Sequence, residues 1–152
     1  MKKFNFRLEK IRRYKEQLEQ DKKMKFAAEQ SRWIKERNTL ENIIEKRNSY
    51  FSKYGVRKPG KLNIIQLLIS KRFLDKLARD ISEQAKIVAK AQENMNKAQI
   101  DLVEASRERK KYEKLKEKYK VLYNKETERE VNKELDEFGA RTLKHQLTSS
   151  KV

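Results

Sequence analysis

Three places in the sequence carry residue types that could do chemistry. Residues 55–62 read GVRKPGKL. A glycine, four residues and then Gly-Lys is one hydroxyl short of a phosphate-binding P-loop, because Leu62 stands where a Ser or Thr would hold magnesium. Such a loop also needs a strand before it, so that the backbone N–H groups of its turn can cradle phosphates at a helix start. The preceding residues, NSYFSKY, instead continue a helical apolar stripe, and no parallel-sheet pattern exists to supply a metal-binding Asp. Gly55, Pro59 and Gly60 are what a helix stop and a turn require. The stretch reads as a turn. His145, the single histidine, lies in a polar tail without the converging partners a metal or catalytic site needs. Glu134 and Asp136 form a carboxylate pair, but such pairs are frequent in a chain that is 41% charged, and a rod has no concavity in which to raise a carboxyl pKa. With no cysteine there is neither a disulfide framework nor a thiolate metal site. The expectation is a protein that is not an enzyme and uses no cofactor or metal.

The elements that would position these residues follow from composition and period. Of 152 residues, 36% are hydrophobic, and the formal net charge is +17. An ordinary globular domain is about 45–50% apolar and about 25% charged. This chain cannot wrap a compact core, but it can line one stripe of a helix. Disorder is the competing compositional reading, and the apolar period decides against it. Leu67, Leu74, Ile81, Val88, Met95 and Leu102 recur every seven residues. A second row, offset by three, holds Ser70, Leu77, Gln84, Ala91, Ala98, Ala105, Tyr112 and Tyr119. These are the two core rows of a coiled coil. Asn63 is placed to cap this helix, with Gln66 reaching back and Leu62 stapled onto Leu67. Residues 4–54 form a noisier helix with apolar stripes Phe4, Leu8, Ile11, Leu18 and then Phe26, Trp33, Leu40, Tyr54. The step from Leu18 to Phe26 breaks the beat, and Lys15 and Lys22 occupy positions where core residues would be wanted. The expected organisation is a helix over 4–54, a turn over 55–62, a helix over 63–138 and a flexible tail over 142–152.

Two helices joined by a short breaker fold back most simply on each other. The expected fold is therefore all-α: an intramolecular antiparallel coiled coil whose second helix is longer and overhangs. A pivot near Lys58 puts Leu40 opposite Leu77, Trp33 opposite Gln84, Phe26 opposite Ala91, Leu18 opposite Ala98, Ile11 opposite Ala105 and Phe4 near Tyr112. Large residues then face small ones. The basic N-terminus has no apolar run after it, so it is not a secretory signal. The richest apolar run, LNIIQLLIS, is far too short to span a bilayer, so a soluble chain without direct membrane insertion is expected.

Two surfaces remain as binding candidates. The run RERKKYEKLKEKYK, residues 107–120, contains Lys110, Lys111, Lys114 and Lys118 among interspersed glutamates. It reads either as a solvated face with Glu–Lys pairs or as a site for an acidic partner, and Tyr112, Tyr119 and Tyr123 could stack on bases if that partner were nucleic acid. Trp33, Tyr50, Tyr54 and Phe73 are large aromatics for a two-helix seam. Those near the turn either thicken the seam or form a partner site.

The chain also resembles a known family. The opening FNFRLEKIRRYKE is similar to the start of the flagellar export protein FliJ family, through Phe4, Phe6, Leu8 and Ile11. The ending EREVNKELDEFGARTLKHQ is similar to that family's C-terminal segment, with Lys133, Asp136, Glu137 and Arg141 in order, although Gly139 departs from it and would allow an earlier helix end. Phe73 and Leu77 match the family's Phe-x-x-x-Leu pattern just after the turn, with Asp80 and Gln84 on the same face. The resemblance implies a non-enzymatic stalk and adaptor of flagellar type III protein export, serving flagellum biogenesis and through it chemotaxis. Its partners would be the flagellar export ATPase, the membrane export gate protein and export chaperones. The ATPase end would use Lys110, Lys111, Lys114, Lys118 and Arg141. The turn end would present Tyr50, Tyr54, Phe73, Leu77, Asp80 and Gln84 to the gate. The implied state is a cytoplasmic monomer when free, peripherally associated with the inner face of the cell membrane at the flagellar base, with no nucleic acid bound. Two rivals stand beside it: a basic rod that binds nucleic acid or the ribosome, and a generic dimeric coiled-coil scaffold.

Overall fold

A computed structural model describes residues 3–54, 60 and 63–149, with side chains described as far as residue 141. Two helices make up the fold, α1 (Glu9–Tyr54) and α2 (Ile64–Ser149), and no strand occurs among the described residues. They pack as an antiparallel coiled coil with α2 the longer partner, as expected. Asn63 caps α2: its Oδ1 accepts the Ile65 N–H at 3.1 Å, and its carbonyl accepts that of Leu67 at 3.1 Å. Gly55, Pro59 and Leu62, on which the turn and the staple were argued, lie outside the described residues. What stands on the P-loop question is that a helix precedes the stretch and another follows it.

Both helix ends differ from the sequence expectation. Helix α1 begins at Glu9, not Phe4, because the residues before it leave the helix and lie along α2. Helix α2 runs to Ser149, past Phe138 and through Gly139, whose φ is not positive and whose surroundings are open. A helical glycine costs about 1 kcal/mol against alanine, too little to stop a helix by itself. His145 falls where side chains are not described.

The contacts fall into two compact units. In the unit Leu18–Ala105, the buried residues are Leu77, Ala91, Ala98 and Ala105, the alanines being only 4–6% exposed. Leu67, expected in the first core row of α2, is instead exposed. Helix α1 turns unbroken heptad rows to the seam, one of them through Phe26, Trp33 and Leu40 and the other through Lys22, Glu29, Glu36, Ile43 and Tyr50. The slip suggested after Leu18 is absent, since polar residues simply occupy seam positions. Lys22 Nζ reaches Asp101 at 2.8 Å, and Gln84 Nε2 donates to the Glu36 carboxylate at 2.7 Å and to its carbonyl at 3.1 Å. The expected register put Trp33 opposite Gln84; the observed partner is one helical turn further along α1. The glycine and proline positions locate a turn but not its apex, and that displacement carries into every pair.

In the unit Met1–Gln17 with Ser106–Val152, Lys15 pairs with Glu108 at 3.6 Å and Glu9 with Lys116 at 2.9 Å. Ile11, expected in the seam, is exposed, while Arg12 takes an inward position and binds Glu9 and Glu16. Phe6 is buried, with its ring 6.0 Å from Tyr119, and Phe4 lies 5.5 Å from Tyr123. Phe4 thus passes well beyond Tyr112, its expected neighbour. A non-helical segment advances more than twice as far per residue as a helix, so the short run before Glu9 reaches further along α2 than a helix could.

Candidate functional site

Each unit carries one surface with the chemistry to bind a partner. In the first, the basic run lies wholly on α2. Lys110, Lys114 and Lys118 recur every four residues, are exposed, and make no ion pair among the described residues. At 100° per residue they fall on the helix side away from Tyr112, Leu115 and Lys116, which turn toward the seam. Lys111 differs: it is held by Glu108 at 2.6 Å. Arg109 pairs with Glu113 and is mostly covered. Arg141, a weak pair of Glu137 at 3.9 Å, is exposed further along the same helix. The solvated-face reading is therefore correct for part of the run, and a row of three uncompensated lysines remains.

At its inner edge this unit is held by charge. Glu9 is pulled down to about 2, first by its hydrogen bond with Arg12 and then by that with Lys116. Lys111, with Lys15 behind it, lowers Glu108. These carboxylates serve the seam, and no group of three or more His, Cys, Asp or Glu that could hold a metal forms among the described residues.

The second surface lies in the other unit, where α1 ends and α2 begins. The Tyr50 hydroxyl donates to Ser70 Oγ at 2.9 Å, and its ring packs tilted against those of Phe73 at 4.6 Å and Tyr54 at 4.8 Å. Tyr54 and Phe73 are exposed and line a shallow groove with Lys46, Ser49 and Lys53. The other expected residues are placed differently. Leu77 is buried in the seam, Gln84 is engaged by Glu36, and Asp80 is half-buried. Trp33 belongs to the seam further along, with the Arg37 guanidinium 5.5 Å from its ring.

Sequence reasoning missed two features. The Phe6–Tyr119 contact was hidden because Tyr119 was assigned to the second core row of α2 and Phe6 lay outside the apolar stripes of the first helix. Of the cluster Ile64, Ile65, Leu67, Leu68 and Ile69, all exposed, only Leu67 was assigned, to the core, and the rest were weighed only as part of a run too short to span a bilayer. Its signal was that five apolar residues in six cannot all face one seam.

The antiparallel helix pair carries a basic row in one unit and an exposed aromatic groove in the other, the kinds of surface that an interaction protein presents. Residues 4–148 match the model of the flagellar FliJ protein family, and the chain belongs to that family. It is thus a component of the flagellar protein export machinery, from a family of non-catalytic parts. No curated protein and no solved structure matched the chain. No helix among the described residues is long and apolar enough to cross a membrane.

Proposed function

We propose that this chain is a non-enzymatic stalk and adaptor that joins the flagellar export ATPase to the export gate, and that it meets export chaperones as well. The observation that carries the reading is the row Lys110, Lys114 and Lys118 on the outward side of α2, uncompensated by any described carboxylate. A charged row on one side of a helix suits a ring whose lining is acidic or polar, and it speeds encounter with such a lining. ATP hydrolysis then belongs to the ring. The aromatic end, through Tyr54 and Phe73, is the face offered to the gate, while Tyr50, Leu77 and Gln84 support that face from within. The working place of such a chain is the cytoplasmic side of the membrane at the flagellar base.

The test is size-exclusion chromatography with light scattering, first of the full chain alone and then with the cognate export ATPase and ATP. A monomer that co-elutes with the ATPase is the expected result. Lys110→Glu, Lys114→Glu and Lys118→Glu together abolish co-elution while leaving the far-ultraviolet circular dichroism unchanged. Undiminished ATPase binding by that variant would remove the basic row from the account. Tight RNA binding that falls steeply with salt, without ATPase binding, would replace the stalk by a nucleic-acid reading.

A further inference from the structure

At the start of α2, Ile64, Ile65, Leu67, Leu68 and Ile69 are between 53% and 70% exposed. Successive residues turn by 100°, so these five side chains cover an arc of about 200°. Phe51 and Tyr54 at the end of α1 are each 62% exposed. Exposed apolar surface this concentrated is unusual in a soluble chain. A seam or a protein groove grips one stripe of a helix; here the helix is apolar on more than half its circumference.

The charge around it is one-sided. Lys46, Arg47, Lys53, Lys71 and Arg72 are exposed and make no ion pair with a carboxylate among the described residues. From residue 46 to residue 74 the sequence contains no Asp or Glu at all. A second copy of the chain would bring the same uncompensated cations against these and be repelled. An anionic lipid surface complements them, since bases near the headgroups are drawn to its negative surface potential. It also accepts apolar side chains over a broad arc, and it suits Tyr50 and Tyr54, whose rings prefer the headgroup level.

We propose that this end of the α1–α2 pair is a peripheral membrane-docking surface, which sinks its isoleucines and leucines into an anionic bilayer interface while its lysines and arginines hold the headgroups. Nothing spans the bilayer. The inference shares Tyr50 and Tyr54 with the gate face but needs neither the ring nor the gate protein, and the variants that test it, at Ile65, Ile69, Lys71 and Arg72, leave those tyrosines in place.

The experiment is flotation of the full chain with phosphatidylcholine vesicles, with and without phosphatidylglycerol, at moderate salt. The chain floats with the anionic vesicles and not with the neutral ones. Ile65→Ser with Ile69→Ser weakens binding on the order of tenfold or more, since two largely exposed apolar side chains no longer enter the interface. Lys71→Glu with Arg72→Glu weakens it comparably. A chain of net charge +17 could also adhere through charge alone, and the Lys110, Lys114 and Lys118 reversal controls for that. The control removes more positive charge than the Lys71 and Arg72 reversal yet leaves most of the binding intact. Circular dichroism confirms that each variant keeps its helices, which exposed positions permit. Three outcomes overturn the proposal: no flotation with anionic vesicles; flotation insensitive to the two isoleucines; or a concentration-dependent dimer, dissolved by the isoleucine changes, in place of vesicle binding.

Discussion

Phe6→Ala tests whether the N-terminal segment is fastened by packing or merely lies beside α2. Phe6 is 7% exposed and is the one buried residue outside the helices among the described residues, with Tyr119 at 6.0 Å. Burying a phenylalanine side chain contributes about 1.5–3 kcal/mol, and its near-complete cover argues for the upper half, about 2–3 kcal/mol. The loss is local, because the contacts concern only residues before Glu9 and the Tyr119 region of α2. Two backbone hydrogen bonds report on it: the Glu9 N–H to the Phe6 carbonyl at 3.0 Å and the Arg12 N–H to the Leu8 carbonyl at 2.9 Å. If segment release is the opening event for these amides, 2–3 kcal/mol speeds their exchange by about 30- to 150-fold, at 1.4 kcal/mol per factor of ten. Amides near Ala91, in the other unit, keep their rates. Phe6→Leu restores more than half the protection, since the aromatic geometry adds only about 0.5–1.5 kcal/mol to the area term. Hydrogen exchange of the full chain reads all of this at once. A change of less than about twofold at Glu9 and Arg12 would refute the reasoning, for the burial of Phe6 would then be incidental.

Other expectations follow from the same contacts. Glu9 titrates near 2 when folded against 4.5 as its ordinary value; a lowered carboxylate stabilises above its unfolded pKa, so its contribution is complete above pH 4.5 and fades as pH falls toward 2. Carboxyl chemical shifts check this, and Arg12→Ala moves the Glu9 midpoint upward more than Lys116→Ala does. Leu77→Ala, at the most buried leucine of the seam, costs about 2–3 kcal/mol, read as a lower urea midpoint for the unit Leu18–Ala105. Gly139→Ala meets open space and stabilises α2 by about 0.4–1 kcal/mol, seen as about two- to fivefold slower exchange after Asp136. Lys22→Leu exchanges a seam cation for an apolar residue and leaves Asp101 facing it; Lys22→Leu with Asp101→Leu raises the melting temperature, whereas the single change does not, because an uncompensated carboxylate offsets the apolar gain.

The fold was legible because a seven-residue beat survives any local error: Leu74, Leu77, Ile81, Val88, Ala91, Met95 and Ala98 mark one face whichever residue is taken as the start. The register was not legible from that beat. Alanines at 91, 98 and 105 repeat at the heptad interval, so large residues on α1 find a small partner in more than one alignment. The information lay in the charges that disturbed the pattern. Lys15 and Lys22 are one heptad apart on α1, as Asp101 and Glu108 are on α2, and the observed ion pairs join them two by two. Seam cations that look like faults in an apolar stripe are thus a strong register signal in the sequence, because leaving either charge alone at the seam is costly and a slip of one heptad strands one cation and one carboxylate. The same logic separates the two candidate surfaces. On α2 the lysines that face the seam or its edges found carboxylates, and those at 110, 114 and 118 did not. In the unit Leu18–Ala105, Ile64, Ile65 and Ile69 are exposed, and Lys46, Lys53, Lys71 and Arg72 make no ion pair among the described residues. Unpaired cations such as Lys76, Lys86, Lys120 and Lys125 occur elsewhere on α2 as well; what sets the two surfaces apart is arrangement, three lysines in one row on one and exposed isoleucines and leucines among bases with no Asp or Glu from 46 to 74 on the other, and that arrangement marks them as places shaped by something outside the chain.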